Sequence, residues 1–427
     1  MLEMLHRGTS LPGMLLLKLN QSILGILSAK YRVILVTGTN GKTTTASLIT
    51  KILKDSGHSV ICNATGANML SGIVTLFVKH ENDQKKEFAV IEIDEANVPL
   101  YSAIGDAECI VCTNLFRDQL DRYGEIHTAM EKIKKGIDNL PGIKIILAAD
   151  EPLFNFDGSN KIYYGFDVAP TDGKEDVSNI EASYCPKCNG IYTYEFYTYN
   201  HLGKYKCASC GTSRPTLNYS VRQIIEMGSN YVEFLIDDNI VLKSNSGGLF
   251  SIYNIMAAYV TTRELGVGVQ SIINSIENFK PQFGRHESIR FFDKQIKLML
   301  VKNPVGFNES IKLSGLDNGE KYNCFMLNDN YADGKDISWI WDVDFENLAL
   351  EHEEVIVSGS RSVDMAIRLA VAGQDRDKIL IESDVHLLIK KLKACPKNRC
   401  ICVYATYTAM LEFRRDLARE KIIQYSW

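Results

Sequence analysis

The sequence VILVTGTNGKTTT at residues 33–45 decides the fold of this chain. An apolar, β-branched run passes into a glycine-rich turn that ends in Lys42 and Thr43, and the following residues repeat at helical spacing as far as Gly57. This order of strand, glycine-rich loop and helix predicts a phosphate-binding loop within a parallel α/β sheet. A glycine-rich turn without a ligand is the alternative, and the flanking strand and helix favour the phosphate loop.

The predicted loop has the chemistry to bind ATP. Its backbone N–H groups can point at phosphate oxygens, and the dipole of the following helix adds partial positive charge. Lys42 can reach the outer phosphates, and the Thr43 hydroxyl can bind Mg²⁺. Val36 stands where the common pattern G-x-x-x-x-G-K-[ST] has its first glycine, which leaves the compact form G-T-N-G-K-T-T. The predicted ATP-binding residues of the loop are Gly38, Thr39, Asn40, Gly41, Lys42, Thr43 and Thr44.

The segment AVIEIDEAN at residues 89–97 is an apolar strand that ends in acidic residues, beginning with Glu92. Because the C-terminal ends of neighbouring parallel strands meet at one edge, a carboxylate here can lie beside the phosphate loop and bind Mg²⁺. The alternative is an acidic strand end that faces solvent.

Strand and helix patterns alternate over residues 32–148, which predicts a parallel sheet covered by helices on both faces. A tyrosine-rich, cysteine-bearing block then interrupts this pattern, and strand-like alternation returns after it. A connector with Pro and Gly at residues 278–285 precedes a second α/β region. We therefore predict an ATP-binding domain over residues 1–284, with an insertion at about 184–215, and a smaller α/β C-terminal domain over 285–427.

Composition limits the class of protein. The chain has 427 residues, of which 45% are hydrophobic and 23% charged, as expected for a globular protein of two or three domains. Its net charge of −5 argues against nucleic-acid binding as the main function. Of the 11 Cys residues, four form one cluster and the others lie mostly in apolar runs, which indicates a reducing compartment and predicts a cytoplasmic location.

The apolar segment LPGMLLL at residues 11–17 is similar to the core of a signal peptide, but Lys18 interrupts it. It is too short and too polar to span a bilayer. We predict an amphipathic helix that packs on the first domain, and contact of this helix with the inner membrane face stays an open alternative.

Two C-x-x-C pairs, separated by residues 189–206, predict a metal site. Cys185 and Cys188 form one pair, and Cys207 and Cys210 form the other. The sulfurs of two such pairs can meet at one tetrahedral Zn²⁺, and four Cys ligands leave no open position for catalysis. We therefore predict a structural zinc ribbon. A ribbon that binds nucleic acid is the alternative, and the tyrosine-rich, weakly basic composition favours the structural role.

Together, the loop GTNGKTT, the acidic segment EIDE at residues 92–95 and TNLFRDQLD at residues 113–121 resemble the Mur ligase family. These enzymes use ATP to convert a carboxylate into an acyl phosphate, which an amine then attacks. The resemblance continues in the helix around Asn254, the position that contacts adenine in the family, and in FGRHE at residues 283–287, which implies that Arg285 lies near the phosphates. Apart from the resemblance, Asn254 is interpreted as an ordinary helix-surface residue.

The chain departs from ordinary Mur ligases in ways that suit one branch of the family. The phosphate loop begins at Gly38, so the N-terminal domain that binds the UDP sugar is expected to be missing. Gln119 replaces a His that binds Mg²⁺ in the family, and the carbamylated Lys has no assigned counterpart, although Lys132 and Lys134 lie in range. These departures and the ribbon resemble the MurT subunits of lipid II isoglutaminyl synthases. The branch-specific motifs are KNP at residues 302–304, NDNYADGKDISWIWD at 328–342 and SGSR at 358–361.

This resemblance implies a reaction. ATP phosphorylates the α-carboxylate of D-glutamate in the lipid II stem peptide at the inner membrane face, ammonia displaces the phosphate, and the product carries D-isoglutamine. Lys42 and Mg²⁺ are expected to neutralise the developing charge, while Thr43 and Glu92 hold the metal. A ligase that adds an amino acid to a carboxylate, as folylpolyglutamate synthases do, is the related alternative. A nucleic-acid-binding protein with ATP as a switch is the alternative from another class.

The resemblance also implies a partner. Because no convincing Cys-His glutaminase motif stands in the sequence, a GatD-type glutamine amidotransferase subunit is expected to supply the ammonia. In this branch an Asp completes the partner's Cys-His pair, and Asp364 is the matching residue and the third predicted catalytic group. The alternative for Asp364 is a helix N-cap before Met365. Asp333 and Asp336 are expected either to face substrate or to form turns.

Overall fold

The computed structural model describes residues 10–424 except 64–66, 119–125, 157, 171–180, 238, 281–284, 318, 349–353 and 397–398, and it describes residues 285, 286 and 347 by their backbone only. The described residues fall into two units. Unit 1 comprises residues 1–116, 125–227 and 231–279, and unit 2 comprises residues 117–124, 228–230 and 280–427.

Unit 1 is built on a sheet that has nine strands among the described residues, in the order β11-β10-β9-β6-β5-β4-β1-β3-β2. Neighbours from β2 across to β9 run parallel, and β9, β10 and β11 are antiparallel. The central strands are apolar because helices cover both faces of a parallel sheet. The strands are β1 (Arg32–Thr37), β2 (Val60–Cys62), β3 (Phe88–Glu92), β4 (Cys109–Cys112), β5 (Lys144–Ala148), β6 (Lys161–Phe166), β9 (Tyr219–Met227), β10 (Val232–Ile236) and β11 (Ile240–Ser244).

The helices of unit 1 follow the strands in the alternating order that the sequence predicts. Helix α3 starts directly after the glycine-rich loop and ends before Gly57, whose φ of +89° suits the residue after a helix. Helix α7 is buried around almost its whole circumference, so it lies inside the unit. The helices are α1 (Leu11–Leu19), α2 (Ile23–Ser28), α3 (Lys42–Asp55), α4 (Leu70–Lys79), α5 (Val98–Ser102), α6 (Ile126–Asp138), α7 (Leu249–Glu264) and α8 (Val269–Glu277).

The N-terminal helix α1 packs on unit 1, as predicted. The Gly13 N–H donates to Thr75 Oγ1 of α4 at 2.9 Å, and a Cβ atom at Gly13 would lie 1.9 Å from the Ser71 carbonyl oxygen. The opposite face exposes Met14, Leu15 and Leu19, so it is less polar than an amphipathic pattern requires. Among the described helices, none combines the length and apolarity needed to cross a membrane.

The inserted block forms a small antiparallel hairpin from β7 (Tyr192–Tyr199) and β8 (Leu202–Cys207). Its own core contains Tyr192 and Tyr205, whose rings meet edge to face at a centroid distance of 5.0 Å. This hairpin joins no other strand among the described residues. The ribbon therefore needs a further source of stability, because a two-stranded hairpin alone is marginal in water.

Unit 2 contains a second sheet, with six strands among the described residues in the order β12-β13-β17-β14-β15-β16. All its neighbours run parallel except β12 and β13. Two hydrophobic clusters pack against it. The strands are β12 (Arg285–Phe291), β13 (Lys294–Leu300), β14 (Lys321–Met326), β15 (Val355–Ser358), β16 (Ile379–Ile381) and β17 (Cys400–Ala405), and the helices are α9 (Pro304–Gly315), α10 (Ser362–Val371), α11 (Val385–Ala394) and α12 (Tyr407–Arg419).

The KNP motif is the start of α9. Asn303 is the N-cap, and its Oδ1 accepts the Gly306 N–H at 2.8 Å. Pro304 occupies the first helical position, where its fixed φ fits and its missing N–H costs nothing. The predicted fold class is confirmed: a parallel α/β unit with an inserted four-cysteine block, and a second α/β unit.

Candidate functional site

The glycine-rich loop joins β1 to α3 and needs glycine at two positions. Gly38 has φ of +120° and Gly41 has φ of +86°, in the region that side chains disfavour. A Cβ atom would lie 2.4 Å from Thr113 Oγ1 at Gly38 and 2.0 Å from Asn254 Oδ1 at Gly41. The backbone of this loop is therefore enclosed by side chains from the segment after β4 and from α7.

The loop is also held by hydrogen bonds from the segment after β4. Asn114 accepts the Thr39 N–H through its carbonyl oxygen at 2.8 Å, and its Oδ1 accepts the Asn40 N–H at 2.9 Å. Thr113 Oγ1 donates to the Asn40 carbonyl oxygen at 2.8 Å, and the Phe116 N–H donates to Thr39 Oγ1 at 2.9 Å. Sequence reasoning quoted Asn114 within a motif but gave it no role. Its position directly after a buried strand was the available signal.

The predicted metal-binding pair is brought together. Thr43 Oγ1 donates to Glu92 Oε2 at 2.7 Å. Glu92 ends β3, which pairs with β1, and Asn63 fixes its backbone through bonds of 2.8 Å to both its N–H and its carbonyl oxygen. Two oxygens bound to one octahedral Mg²⁺ lie about 2.9 Å apart, so this pair fits neighbouring ligand positions.

Lys42 is buried and lies over its own loop. Its Nζ donates to the carbonyl oxygens of Gly38 and Thr39 and lies 3.2 Å from Glu95 Oε1. Glu95 is 7% exposed and comes from the same acidic segment as Glu92. Sequence reasoning did not assign Glu95, because its distance to Lys42 depends on how β3 lies beside β1. Thr44, the last loop residue predicted to bind ATP, lies half-buried in the first turn of α3.

Asn254 is not a surface residue. It is 6% exposed on α7, and its Oδ1 accepts a hydrogen bond from Thr45 Oγ1 at 3.4 Å. The interpretation as an ordinary helix-surface Asn was wrong, because α7 is buried nearly all round rather than on one face. Asn254 thus lies against Gly41, at the edge of the candidate phosphate site.

Other predicted residues lie outside this geometry. Gln119 falls outside the described residues, and Arg285 is described only by its backbone, at the start of β12. Lys132 and Lys134 lie on α6, with Lys134 exposed, and neither gains a role.

The four cysteines of the ribbon form one cluster. Their sulfur atoms all lie within 4.8 Å of one another, with Cys185 and Cys210 at 3.7 Å and Cys188 and Cys207 at 3.5 Å. A tetrahedral zinc with bonds of about 2.3 Å places its sulfurs about 3.8 Å apart. The cluster therefore fits Zn²⁺.

Asp364 lies in unit 2, in the first turn of α10. Arg361 is the N-cap residue of this helix, so the interpretation of Asp364 as the N-cap was wrong. Asp364 Oδ2 lies 3.1 Å from Arg361 Nε, and its side chain is 40% exposed. The carboxylate is therefore accessible, at the N-terminal end of the helix.

Asp333 and Asp336 make different hydrogen bonds. Asp333 is buried and accepts the Thr408 N–H at 2.7 Å, and burial raises the pKa of Asp333. Asp336 accepts the Ser338 N–H at 2.8 Å, and this bonding to Ser338 lowers the pKa of Asp336. Asp336 therefore makes the turn contact that one interpretation predicted. Asp333 also accepts the Asn330 N–H within its turn at 3.2 Å, but its bond to Thr408 joins residues far apart in the sequence.

Asp336 also lines a small cleft within unit 2. Asp118 is paired there with Lys302, and the other oxygen of Asp118 is buried and has no hydrogen-bond partner among the described residues. Charged and aromatic groups thus converge at one place in this unit. The cleft is lined by Arg117, Asp118, Lys302, Asn303, Pro304, Asp336, Ser338, Trp339 and Asp342.

Comparison with known proteins places the chain in a family. A profile described as Mur ligase middle domain matches residues 36–185, and one described as MurT ligase C-terminal matches residues 300–410. The MurT subunit of lipid II isoglutaminyl synthase (glutamine-hydrolyzing) from Streptococcus pneumoniae is 39% identical over 99% of this chain and 95% of that protein. The chain belongs to the MurT family of Mur ligases. It is therefore a ligase, and the predicted family is confirmed.

Further relatives agree with this assignment. The MurT subunit from Staphylococcus aureus is 36% identical over 89% of this chain and 86% of its own length. Among solved structures, a pseudomurein peptide ligase type C from Methanothermus fervidus has a TM-score of 0.71 at 23% identity, covering 93% of this chain and 80% of that one. MurF from Acinetobacter baumannii has a TM-score of 0.66 at 16% identity, covering 93% and 79%. At these identities the two structures show the shared fold. Membership in the Mur ligases implies ATP as the energy source.

Proposed function

We propose that the chain is the synthase subunit of a lipid II isoglutaminyl synthase. The reaction is the ATP-dependent amidation of the D-glutamate α-carboxylate in the lipid II stem peptide, which yields D-isoglutamine during peptidoglycan synthesis. The observation that carries the proposal is the match to a MurT subunit along 99% of the chain, with the Thr43–Glu92 pair at the phosphate loop. A cytoplasmic location at the inner membrane face follows from where this substrate is displayed.

In the first half-reaction a carboxylate oxygen of the substrate attacks the γ-phosphorus of ATP, and ADP leaves. The loop Gly38–Thr44 would hold the phosphates, and Thr43 with Glu92 would hold Mg²⁺, which supplies charge neutralisation when it is bound. Lys42 would turn from its carbonyl partners to the outer phosphates. Because the protein takes little covalent part in phosphoryl transfer, positioning of the reactants and neutralisation of charge supply most of the rate acceleration.

In the second half-reaction ammonia attacks the acyl carbon, and phosphate leaves. Most ammonia is protonated at neutral pH, so a glutaminase that delivers it directly gives the reaction its nucleophile. We propose a GatD-type amidotransferase as the partner, with Asp364 orienting a His of that subunit. Support comes from the exposure of Asp364 beside an apolar stripe on α10, formed by Val363, Ile367 and Val371 at four-residue spacing with exposed fractions of 57%, 52% and 64%.

Three residue roles and the domain division belong to the same proposal. Asn254 would contact adenine, for which its burial against Gly41 is the support. Arg285 would lie near the phosphates. The four Cys residues would bind a structural Zn²⁺, supported by their sulfur spacing. The ATP-binding domain would extend to residue 284, with the ligase domain and the partner site after it.

The test is an amidation assay with purified lipid II, ATP and glutamine, using this chain alone and with a GatD-type subunit. We expect glutamine-driven product only with both chains, and ammonium-driven product that is lost in Lys42→Ala. Consumption of an amino acid with ATP, without amidated lipid II, would instead identify a ligase that adds amino acids. A Thr50→Val control should keep activity, because the Thr50 hydroxyl on α3 has no hydrogen-bond partner in the part of the chain that the structure describes.

A further inference from the structure

The turn of the ribbon hairpin contacts a buried carboxylate of unit 1. His201 lies between β7 and β8, Glu151 follows β5, and neither side chain is exposed. His201 Nε2 lies 3.0 Å from both carboxylate oxygens of Glu151. Its Nδ1 lies 3.0 Å from Asn200 Oδ1, which fixes the plane of the ring. A buried carboxylate is costly unless it is hydrogen-bonded, so this contact fixes both side chains.

Glu151 in turn holds the segment that follows β4. Its Oε2 accepts the Leu115 N–H at 3.0 Å, and its Oε1 accepts the Leu153 N–H at 3.2 Å. The ring of Phe116 also packs on His201, at a centroid distance of 4.9 Å. The segment is therefore held from the ribbon side through its backbone and through an aromatic contact.

This segment is the one that holds the phosphate loop. Leu115 lies between Asn114, which accepts the N–H groups of Thr39 and Asn40, and Phe116, whose N–H donates to the Thr39 hydroxyl. Hydrogen bonds joined by the backbone on either side of Leu115 thus lead from the ribbon turn to the loop. Every member lies within unit 1.

We propose that His201 is a positioning residue for ATP binding, which acts through Glu151 and the segment Thr113–Phe116 on the backbone of Thr39 and Asn40. The zinc ribbon would then help to hold the phosphate loop in its binding conformation, in addition to being a folded insertion. This inference rests on the proposed role of the loop in ATP binding. The N–H groups of the loop bind phosphate well only when their directions are fixed before the ligand binds. Loss of the contacts from His201 should therefore weaken ATP binding.

The test compares three variants of the full chain by binding of a fluorescent ATP analogue. His201→Leu removes the donor to Glu151, and we expect about five- to tenfold weaker binding, with a matching rise in KM for ATP and a smaller change in kcat. His201→Gln keeps an N–H donor and should recover most of the affinity. Glu151→Gln keeps the size of the side chain but weakens the contact, and combining it with His201→Leu should add little.

Zinc content and Tm are measured for each variant, and binding is measured well below the lowest Tm. Thr198→Val is the matched control, since it removes a buried hydrogen bond to Tyr253 from the same hairpin but leaves Glu151 and its donors intact. Zinc-loaded His201→Leu and Glu151→Gln that bind the analogue as tightly as the parent would overturn the inference. A parent chain that fails to bind ATP would overturn the proposed function along with it.

Discussion

At the scale of the residue, the candidate site depends on a few contacts between positions far apart in sequence. Thr43 and Glu92 meet through a single hydrogen bond, and Lys42 meets Glu95. The phosphate loop and the acidic strand could each be predicted from local sequence. The choice of Glu92 came from the family resemblance, and the pairing of Val36 with Glu92 explains why this carboxylate lies at the loop, whereas the contact of Glu95 with Lys42 was not predicted.

Thr43→Val tests the metal-binding pair. The substitution keeps the shape but removes the hydroxyl, so we expect the Mg²⁺ concentration for half-maximal amidation to rise about tenfold or more, with little change in Tm. Thr50→Val on the same helix is the control. An unchanged Mg²⁺ dependence in Thr43→Val would remove Thr43 from the metal site.

Gly41→Ala tests the enclosure of the loop. An Ala at φ of +86° costs about 1–2 kcal/mol, and its Cβ would clash with Asn254, so we expect kcat/KM for ATP to fall roughly 100-fold. Gly57→Ala is the matched control, because φ is +89° there and no described residue has an atom within 4 Å of the added Cβ atom. Both variants should lose stability because of the positive φ, Gly41→Ala should lose more because of the clash, and only Gly41→Ala should lose activity. Equal activity in the two variants would contradict the enclosed loop.

At the scale of the element, strands were more predictable than the start of α10 and the burial of α7. The strand β1 and the helix α3 follow from apolar periodicity and from Gly57. The start of α10 could not be predicted from the sequence. Its N-cap is Arg361 rather than Asp364, and the Arg361 side chain makes no capping hydrogen bond. The burial of α7 was also missed, since a helix buried on all sides has no polar stripe to reveal its orientation.

Cys207→Ser tests the ribbon. Removal of one buried ligand should release the metal and lower Tm by at least about 5 °C, because a hairpin this small cannot bury enough apolar surface alone. Zinc per chain by elemental analysis is the direct measurement. Cys62→Ser, which lies outside the cluster, should keep the metal. A zinc-free parent chain of unchanged stability would argue against a structural metal.

Ile367→Glu tests the apolar stripe on α10. A charge at the middle of this stripe should weaken binding of the glutaminase subunit about tenfold or more, while Tm of this chain stays the same because Ile367 is exposed. Binding is measured by titration calorimetry. Leu316→Glu, at a 44% exposed position after α9, is the control. Comparable partner affinity in both variants would place the interface elsewhere.

At the scale of the whole molecule, sequence supplied the fold class, the family and the position of the ribbon. Some features each extend over a short stretch, so they can be recognised from the sequence alone. These are the α/β pattern, the four Cys residues and the motifs at the phosphate loop. The contacts from His201 to the phosphate loop are different, because their members come from the segments after β5 and β4 and from the hairpin turn. The order of strands in the sheet brings the first two segments side by side, and the packing of the hairpin turn against Glu151 adds His201.

Asp364→Asn tests whether Asp364 acts in the reaction of the glutaminase subunit rather than in the ligase reaction. If Asp364 orients a partner His, glutamine-driven amidation should fall roughly 1,000-fold or more, while ammonium-driven amidation by the same complex stays near the parent rate. The two nitrogen sources are compared in one assay. Asp377→Asn, another exposed acid of unit 2, is the control. Equal losses with glutamine and ammonium would assign Asp364 to the ligase reaction or to stability.

The ribbon lies in the chain between β6 and β9, and this position affects how the protein folds. Strands β6 and β9 pair in parallel, but residues 167–218 separate them. Closing so long a loop costs conformational entropy before the pairing returns any energy. A metal that draws four sulfurs of that segment together shortens the loop, so β9, β10 and β11 should join the sheet sooner. Zinc supply would then set the rate at which newly made chains mature, in addition to the stability of the finished protein.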